Sequence, residues 1–338
     1  MPAGSPDGER HARLLALKLR ALIVEHDEPP EPFEVATFAG GAATVLPGDH
    51  AWALVEDGSA DLGAALAWAG QQQAHLRDLV VDGARAAQAG AIARRAQTFV
   101  APPSVWRVDG RALVAVEPEP ADRPAAAHPS AVALVPDLEA AGLEVVTEGG
   151  VVRGEIRGLE VAVVAVDDEG RARVEVGVGR HDREAFAMLH GDLPALDAMR
   201  AVIDTVSRQR RPGAAPHPLN RLAPERWLRW HLIDDPTRLP GWTLEVVDDV
   251  VDRASLKDRT PAFAVGTDDH GNPVVVACSV GVDLELVPLA ADVRERIAPD
   301  ARLVLAVPAR DVLPVTRRAA EALVRPAEII AIEGDWRR

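Results

Sequence analysis

The two ends of this 338-residue chain carry the same order of sequence features. Near the N-terminus, an apolar run at 51–55 precedes a helical stretch, a second apolar run at 79–81 and a double arginine at 94–95. The same features recur at 274–277, 303–305 and 317–318, each about 223 residues from its N-terminal counterpart. A repeat of this length indicates duplication of an α/β unit.

Short apolar runs alternating with stretches of helical periodicity predict an α/β fold. We expect two related lobes of βββαβαβ type at 1–116 and 241–338, around a central α+β segment at 131–240. Residues 117–130 are rich in proline, alanine and acidic side chains and are predicted to form a linker. Within this frame, the spacing predicts an amphipathic helix at 9–25 and a tryptophan-bearing helix at 222–233.

Composition excludes several classes of protein. A net charge of −15 argues against sequence-independent nucleic-acid binding, which needs a broad positive surface. The lone Cys278 excludes an intramolecular disulfide and a cysteine-cluster metal site, and its apolar neighbours predict a small buried side chain. Without a signal-peptide pattern or an apolar run of membrane-spanning length, we expect a soluble cytoplasmic protein without a membrane partner.

Each terminal repeat has the element order hairpin, third strand, helix, strand, helix, strand. This order resembles the core of the PD-(D/E)XK nuclease superfamily, most of all its RecB-type branch. In that family, the hairpin aspartate and an acid of the third strand hold a divalent metal, and a lysine two residues later orients the attacking water. The matching positions are 56–58 (Glu-Asp-Gly) and 278–280 (Cys-Ser-Val). The first lacks the lysine and the second lacks every element, so the resemblance implies degenerate, non-catalytic units.

The segment at 174–192 is similar to hypothetical proteins of GC-rich actinobacteria, a resemblance that implies no activity. A GC-rich genome also fits the use of only two lysines, Lys18 and Lys257, against 35 arginines.

The densest set of reactive side chains lies in the central segment. Glu160, Glu175 and Asp182 could hold a divalent metal through carboxylate oxygens, with His181 as the general acid or base. Glu175 also precedes a glycine-containing junction with a helix N-terminus, a place that attracts anions. The structural alternative is that Asp182 caps the helix and that Glu175 faces solvent.

A local basic region at 200–229 stands out from the acidic average. Its phosphate-binding candidates, placed near Trp227 and Trp230, are Arg208, Arg210, Arg211, Arg221 and Arg226. Guanidinium groups bind phosphates well and indoles stack on bases, so a phosphate or nucleic-acid ligand is one interpretation. The alternative is that the tryptophans dock the helix on the core while the arginines pair with the abundant acids elsewhere in the chain.

No sequence motif identifies a reaction. The glycines near 177–179 do not match a dinucleotide fingerprint, and P-loop and serine-hydrolase motifs are missing. The first hypothesis is therefore a non-catalytic scaffold or binding protein on a nuclease-like fold. The alternative is a metal-dependent phosphodiesterase or other hydrolase with its site in the central segment, and only this alternative requires a divalent metal as cofactor.

Overall fold

The computed structural model contains three β-sheets with α-helices, which confirms the α/β class. The structure describes residues 6–27, 29, 32–56, 61–121, 123, 125–179, 182–183, 195–211, 214–215, 217–247 and 259–334.

The chain forms two compact units. Unit 1 comprises residues 1–121, 284–299 and 313–328. Unit 2 comprises residues 122–283, 300–312 and 329–338. The predicted lobe at 241–338 is thus divided, with its two helices in unit 1 and most of its strands in unit 2.

The sheet of unit 1 has six strands in sequential order. They are β1 (Ala36–Phe38), β2 (Gly41–Leu46), β3 (His50–Val55), β4 (His75–Val81), β5 (Ser104–Asp109) and β6 (Ala112–Ala115). β3, β4 and β5 are parallel, and the remaining neighbours are antiparallel. α1 (Pro6–Asp27) packs Leu15, Leu19 and Ile23 into the same core as Trp52 and Val80 of this sheet.

The remaining helices of unit 1 contact one another. They are α2 (Leu62–Gln71) and α3 (Ala89–Ala96), together with two helices from the C-terminal repeat, which we number α8 (Leu286–Ile297) and α9 (Pro314–Glu321). The Glu285 carboxylate accepts hydrogen bonds from the backbone N–H groups of Gly63 and Ala64, both at 3.1 Å. Arg94 of α3 forms a two-pronged ion pair with the buried Asp292 of α8.

Unit 2 contains a four-stranded antiparallel sheet in the order β10-β9-β8-β7. Its strands are β7 (Glu144–Glu148), β8 (Val151–Ile156), β9 (Leu159–Val166) and β10 (Ala172–Val176). The helices of this region are α4 (Pro129–Val132), α5 (Val135–Ala140) and α6 (Ala195–Gln209). Leu138, Met199 and Val206 bring α5 and α6 into one core with Val164 of β9.

Unit 2 also contains the C-terminal five-stranded sheet, again in sequential order. Its strands are β11 (Thr243–Val247), β12 (Ala262–Thr267), β13 (Pro273–Cys278), β14 (Arg302–Pro308) and β15 (Glu328–Ile332). β13 and β14 are parallel, whereas β11, β12 and β13 are antiparallel neighbours. α7 (Pro224–Asp234) buries Trp227 and Leu228 in the core of this sheet, as the alternative interpretation of the tryptophans expected.

Both terminal sheets begin with three antiparallel strands and continue with a parallel pair. Their origin by duplication stays a prediction. In unit 1, a short 3₁₀ helix at 83–88 directly precedes α3. Among the described residues, no helix has both the length and the hydropathy that crossing a membrane requires.

Candidate functional site

Two carboxylates and a lysine meet at one end of the unit 1 sheet. Glu56 and Asp82 directly follow the parallel strands β3 and β4, and in open α/β sheets ligands bind beyond the carboxyl ends of such strands. The Lys18 side chain of α1 places Nζ 3.0 Å from Oε1 of Glu56 and also forms an ion pair with Asp82. The side chains are 36%, 24% and 18% exposed for Lys18, Glu56 and Asp82, so solvent reaches this carboxyl-edge cluster.

Local geometry holds the carboxyl-edge cluster together. Gly83 has a φ of +54°, and a Cβ there would lie 2.6 Å from Cγ of Glu56, so a side chain at this position would push the carboxylate away. His11 Nε2 lies 3.4 Å from the second oxygen of Glu56. Burial lowers the pKa of Lys18, but its hydrogen bonds to Asp82 and Glu56 outweigh this effect and raise the pKa above its usual value. Lys18 therefore stays charged at neutral pH.

A third carboxylate near this edge has a structural role. Asp61 is the N-cap of α2 and accepts a 2.8 Å hydrogen bond from the N–H of Leu62. Its Oδ2 lies 3.1 Å from Arg85 and 3.6 Å from Arg95. A carboxylate at a helix N-terminus is favoured by the helix dipole, and here two guanidinium groups also neutralise it. Asp61 therefore stabilises the start of α2.

A larger set of charges is buried in unit 2, where α7 contacts the four-stranded sheet. Arg226 of α7 forms ion pairs with Glu148 of β7 and with the fully buried Glu155 of β8. Arg229, one turn later, lies 3.6 Å from the other oxygen of Glu155. The tight β8–β9 turn permits this approach, because a Cβ at Gly158, where φ is +72°, would lie 2.5 Å from the backbone of Arg226.

The buried network continues to Glu160 on β9. One carboxylate oxygen of Glu160 lies 2.6 Å from Arg153, and the other lies 2.6 Å from Arg183. Arg153 also approaches Glu148 at 3.4 Å and so connects Glu160 to the ion pairs of α7. The Glu160 side chain is 4% exposed. We call Glu148, Arg153, Glu155, Glu160, Arg183, Arg226 and Arg229 the buried charge network.

The predicted metal ligands take separate roles in the structure. Glu160 belongs to the buried charge network, whereas Glu175 of β10 lies 2.8 Å from Arg173 on the same strand. Asp182 is exposed and accepts a hydrogen bond from the N–H of Val178 at 3.1 Å, a local contact like that of a capping residue. The predicted acid or base, His181, lies outside the described residues. The structure does not gather Glu160, Glu175 and Asp182 into one ligand set.

Over the described ranges, one group of three side chains has its ligand atoms within 4.8 Å of one another, namely Asp268, Asp269 and His270. It forms part of the β12–β13 hairpin. The Asp268 carboxylate accepts hydrogen bonds from the backbone N–H groups of His270 and Asn272. It also forms an ion pair with Arg302, at 2.7 Å. Although burial acts in the opposite direction, these contacts lower the pKa of Asp268. Its carboxylate thus stabilises the turn.

The predicted phosphate-binding arginines divide into two classes. Arg210 is fully buried, stacks 4.6 Å from the ring centre of Trp227 and donates to the carbonyl oxygens of Leu222 and Ala223. Arg226 belongs to the buried charge network. The three exposed members are Arg208, Arg211 and Arg221. Two of the five predicted residues are therefore used inside the protein.

The buried thiol agrees with the sequence prediction. Cys278 is fully buried at the end of β13, and burial raises its pKa to about 12. A thiol with such a pKa is protonated at neutral pH and is a poor nucleophile.

Sequence reasoning missed the carboxyl-edge cluster, because it searched for the lysine two residues after Glu56. The structure brings in Lys18 from α1 instead. The scarcity of lysine was the available signal, since Lys18 is one of two in the chain.

Comparison with known proteins finds no matching family model, no matching curated protein and no matching solved structure. The nuclease-like resemblance of the terminal repeats therefore stays a prediction.

Proposed function

We propose that this chain is a non-catalytic scaffold or binding protein. The observation that carries the proposal is the state of Glu160, the most buried of the predicted metal ligands. Arg153 and Arg183 each lie 2.6 Å from one of its two carboxylate oxygens. A catalytic metal at this position would have to displace two guanidinium groups from a buried carboxylate.

Electrostatics argues against that displacement. Arginine keeps its charge at all accessible pH values, so a divalent cation entering between Arg153 and Arg183 would face two fixed positive charges. Breaking a buried ion pair also leaves a charge uncompensated, which is strongly unfavourable. We infer that the buried charge network stabilises unit 2 rather than performing chemistry.

A binding role leaves room for an anionic ligand. The exposed arginines Arg208, Arg211 and Arg221 lie at or after the end of α6 and before α7. Guanidinium groups in water bind phosphate through paired N–H donors. A phosphate-bearing or nucleic-acid ligand at these three side chains therefore remains part of the proposal.

Thermal unfolding with Mg²⁺, Mn²⁺ and Zn²⁺ tests the non-catalytic proposal. A metal that binds only the folded state, at about a hundred times its Kd, adds about 2.7 kcal/mol of stability. We expect Glu160→Gln and Asp182→Asn to respond to each metal as the wild type does, with the same change in unfolding midpoint or none. Asp269→Asn is the control for the hairpin carboxylates. A shift abolished by either of the first two substitutions would refute the proposal.

A second candidate function, metal-dependent phosphodiester hydrolysis, is favoured by one observation in unit 1. Glu56, Asp82 and Lys18 supply two carboxylates and an ammonium at the carboxyl edge of parallel strands, the side-chain types that the nuclease resemblance requires. In this function, the carboxylates would hold the metal and Lys18 would orient water. The contact of Lys18 with both carboxylates opposes it, because the ammonium already neutralises part of their charge.

Cleavage of single- and double-stranded DNA with Mn²⁺ separates the two candidates. The non-catalytic proposal predicts the same background cleavage for wild type, Glu56→Gln and Lys18→Met. Cleavage by the wild type that both substitutions abolish, while Glu175→Gln retains it, would establish the second candidate.

A further inference from the structure

Two loops of unit 1 pair with each other at equivalent positions of the two repeats. Phe99 and Leu323 lie opposite each other in an antiparallel bridge, five residues before β5 and five residues before β15. Two backbone hydrogen bonds flank this bridge, from the N–H of Val100 to the carbonyl of Ala322 at 3.0 Å and from the N–H of Val324 to the carbonyl of Thr98 at 2.9 Å. Each residue of the bridge therefore faces its own counterpart, as residues on a two-fold axis do.

The four helices beside this bridge follow the same pattern. α3 contacts α8, and α2 contacts α9. When the two repeats are exchanged, α2 takes the place of α8 and α3 takes the place of α9, so each of these two contacts becomes the other. α2 also contacts α8, a contact that the exchange leaves unchanged. The helix packing therefore has the pattern that a two-fold axis produces.

The starts of α2 and α8 are a second place where counterparts meet. Gly63 and Glu285 each directly follow an Asp-Leu pair, at 61–62 and 283–284. The Glu285 carboxylate accepts hydrogen bonds from the N–H groups at the start of α2. A Cβ at Gly63 would collide with the carbonyl oxygen of Leu284, so glycine permits the close approach. Equivalent residues of the two repeats thus meet both at the bridge and at the helix starts.

One ion pair across the two repeats has an incomplete image. Arg94 Nε lies 2.7 Å from Oδ1 of Asp292. Arg94 and Arg318 each lie five residues before the bridge, and Asp292 and Gly70 each lie seven residues after the contact at the helix starts. Arg318 Nε lies 4.0 Å from the position that a Cβ would occupy on Gly70. Arg318 therefore faces the position equivalent to Asp292, where the carboxylate is missing.

The surface between the two sets of helices is apolar at its centre. Phe99 and Leu323 are buried, and so are the alanines three residues before them, Ala96 and Ala320. Burial of apolar surface is the main favourable contribution to protein association, and a two-fold interface buries the same positions on both partners. This surface therefore resembles a homodimer interface, although both partners belong to one chain.

We propose that α2, α3 and residues 98–100 form a two-fold dimerisation surface. Its partner is the equivalent surface of the C-terminal repeat, formed by α8, α9 and residues 322–324, so one chain holds both halves of the interface. Duplication of a shorter chain that paired with itself accounts for the sequence repeat and for the exchanged contacts together. The inference goes beyond the proposed function, because it rests on neither the carboxyl-edge cluster nor the buried charge network.

A reciprocal exchange at the bridge tests the two-fold relation in the full chain. Phe99→Leu leaves two leucines facing each other, and Leu323→Phe places two phenylalanines there. Each single substitution should lower the folding equilibrium constant by about tenfold, through underpacking or overpacking, measured by urea denaturation. The double variant restores one phenylalanine and one leucine on the axis, so its folding constant should lie within roughly threefold of the wild-type value.

The control exchanges a phenylalanine and a leucine that are not repeat counterparts. Phe33 and Leu19 are both buried in the core that contains α1. The double variant Phe33→Leu with Leu19→Phe should stay about tenfold or more below the wild-type folding constant, because the two positions have different surroundings. The proposal is overturned if the losses at the bridge multiply in the double variant, or if that exchange recovers no more stability than the control does.

Completing the missing ion pair is a second, independent test. Gly70→Asp should place a carboxylate within about 3.2 Å of Arg318 Nε in a crystal structure of the variant. In double-mutant cycles, Gly70→Asp should couple to Arg318→Met by about threefold in the folding constant, and not to the matched control Arg317→Met. A carboxylate directed away from Arg318, or equal coupling to both arginines, would contradict the two-fold relation.

Discussion

Two clusters in this protein each combine acidic and basic side chains, and they differ in their access to water. The carboxyl-edge cluster of unit 1 is partly exposed to solvent, and the Lys18 side chain is 36% exposed. In the buried charge network of unit 2, Glu155 is fully buried and Glu160 is 4% exposed. Ion pairs of similar residue types therefore contribute differently to stability, because water screens the charges of the first cluster and not those of the second.

Ligand binding and stability can therefore reside in different parts of this fold. A solvent-accessible ion pair can exchange one partner for a ligand at little energetic penalty, whereas a buried pair cannot. The corresponding edge of the C-terminal sheet supports the distinction. There, Ser279 and Val307 follow the last aligned pair of β13 and β14, at the positions that Glu56 and Asp82 occupy in unit 1. The C-terminal sheet therefore has the same strand pairing at this edge but not the two carboxylates.

The largest expected effect is in the buried charge network. Arg226→Met removes the guanidinium that pairs with both Glu148 and Glu155 and leaves each with one arginine, so it should lower the free energy of unfolding by about 3 kcal/mol, measured by urea denaturation. The control Arg221→Met removes an exposed guanidinium and should change stability by less than about 0.5 kcal/mol. Equal effects of the two substitutions would remove the basis of the comparison.

The second effect concerns Glu160. Glu160→Gln preserves the side-chain shape but loses the charge that holds Arg153 and Arg183, and it should cost about 2 kcal/mol. Glu175→Gln, which affects a pair with the exposed Arg173, should cost less than about 1 kcal/mol in the same urea experiment. If Glu160→Gln were neutral, the network would contribute no net stability.

A smaller effect is expected at the carboxyl edge. Lys18→Met should lower the free energy of unfolding by less than about 1 kcal/mol, and added salt should reduce the difference from wild type. Lys18→Arg keeps the charge and serves as the control. A loss as large as that of Arg226→Met would show that exposure does not separate the clusters.

The smallest effect is pH-dependent and lies on α7, the helix that carries Arg226. Burial, and then the charge of Arg238, lowers the pKa of His231 below its usual 6.5. The unfolded chain therefore binds a proton at His231 more readily than the folded chain does. As the pH falls from above 6.5 toward the folded-state pKa, this proton uptake favours unfolding and the protein loses stability. Urea midpoints measured between pH 7.5 and pH 5.5, about one unit on either side of the unperturbed value, should fall less for His231→Gln than for wild type.

His270→Gln, which removes an imidazole that is 77% exposed, is the control for that experiment and should follow the wild type. Identical pH dependence in all three proteins would contradict the assignment to His231.

Sequence periodicity was sufficient for the α/β class and for most elements near the chain ends. The predicted helix at 9–25 is α1 (Pro6–Asp27), because its buried leucines recur at helical spacing. The two charge clusters could not be predicted in this way. Lys18, Glu56 and Asp82 are distant in sequence and meet only through tertiary packing, and Glu155 on its strand resembles any solvent-facing acid until α7 covers it.

We infer that the acidic side chains of this protein stabilise its structure rather than hold a metal for catalysis. Equilibrium dialysis of the full chain against Mn²⁺ tests it most directly, with Glu160→Gln and Glu56→Gln measured in parallel. We expect no stoichiometric Mn²⁺ uptake that depends on either carboxylate. A stoichiometric equivalent of Mn²⁺ that binds the wild type and is lost in one of these variants would contradict it.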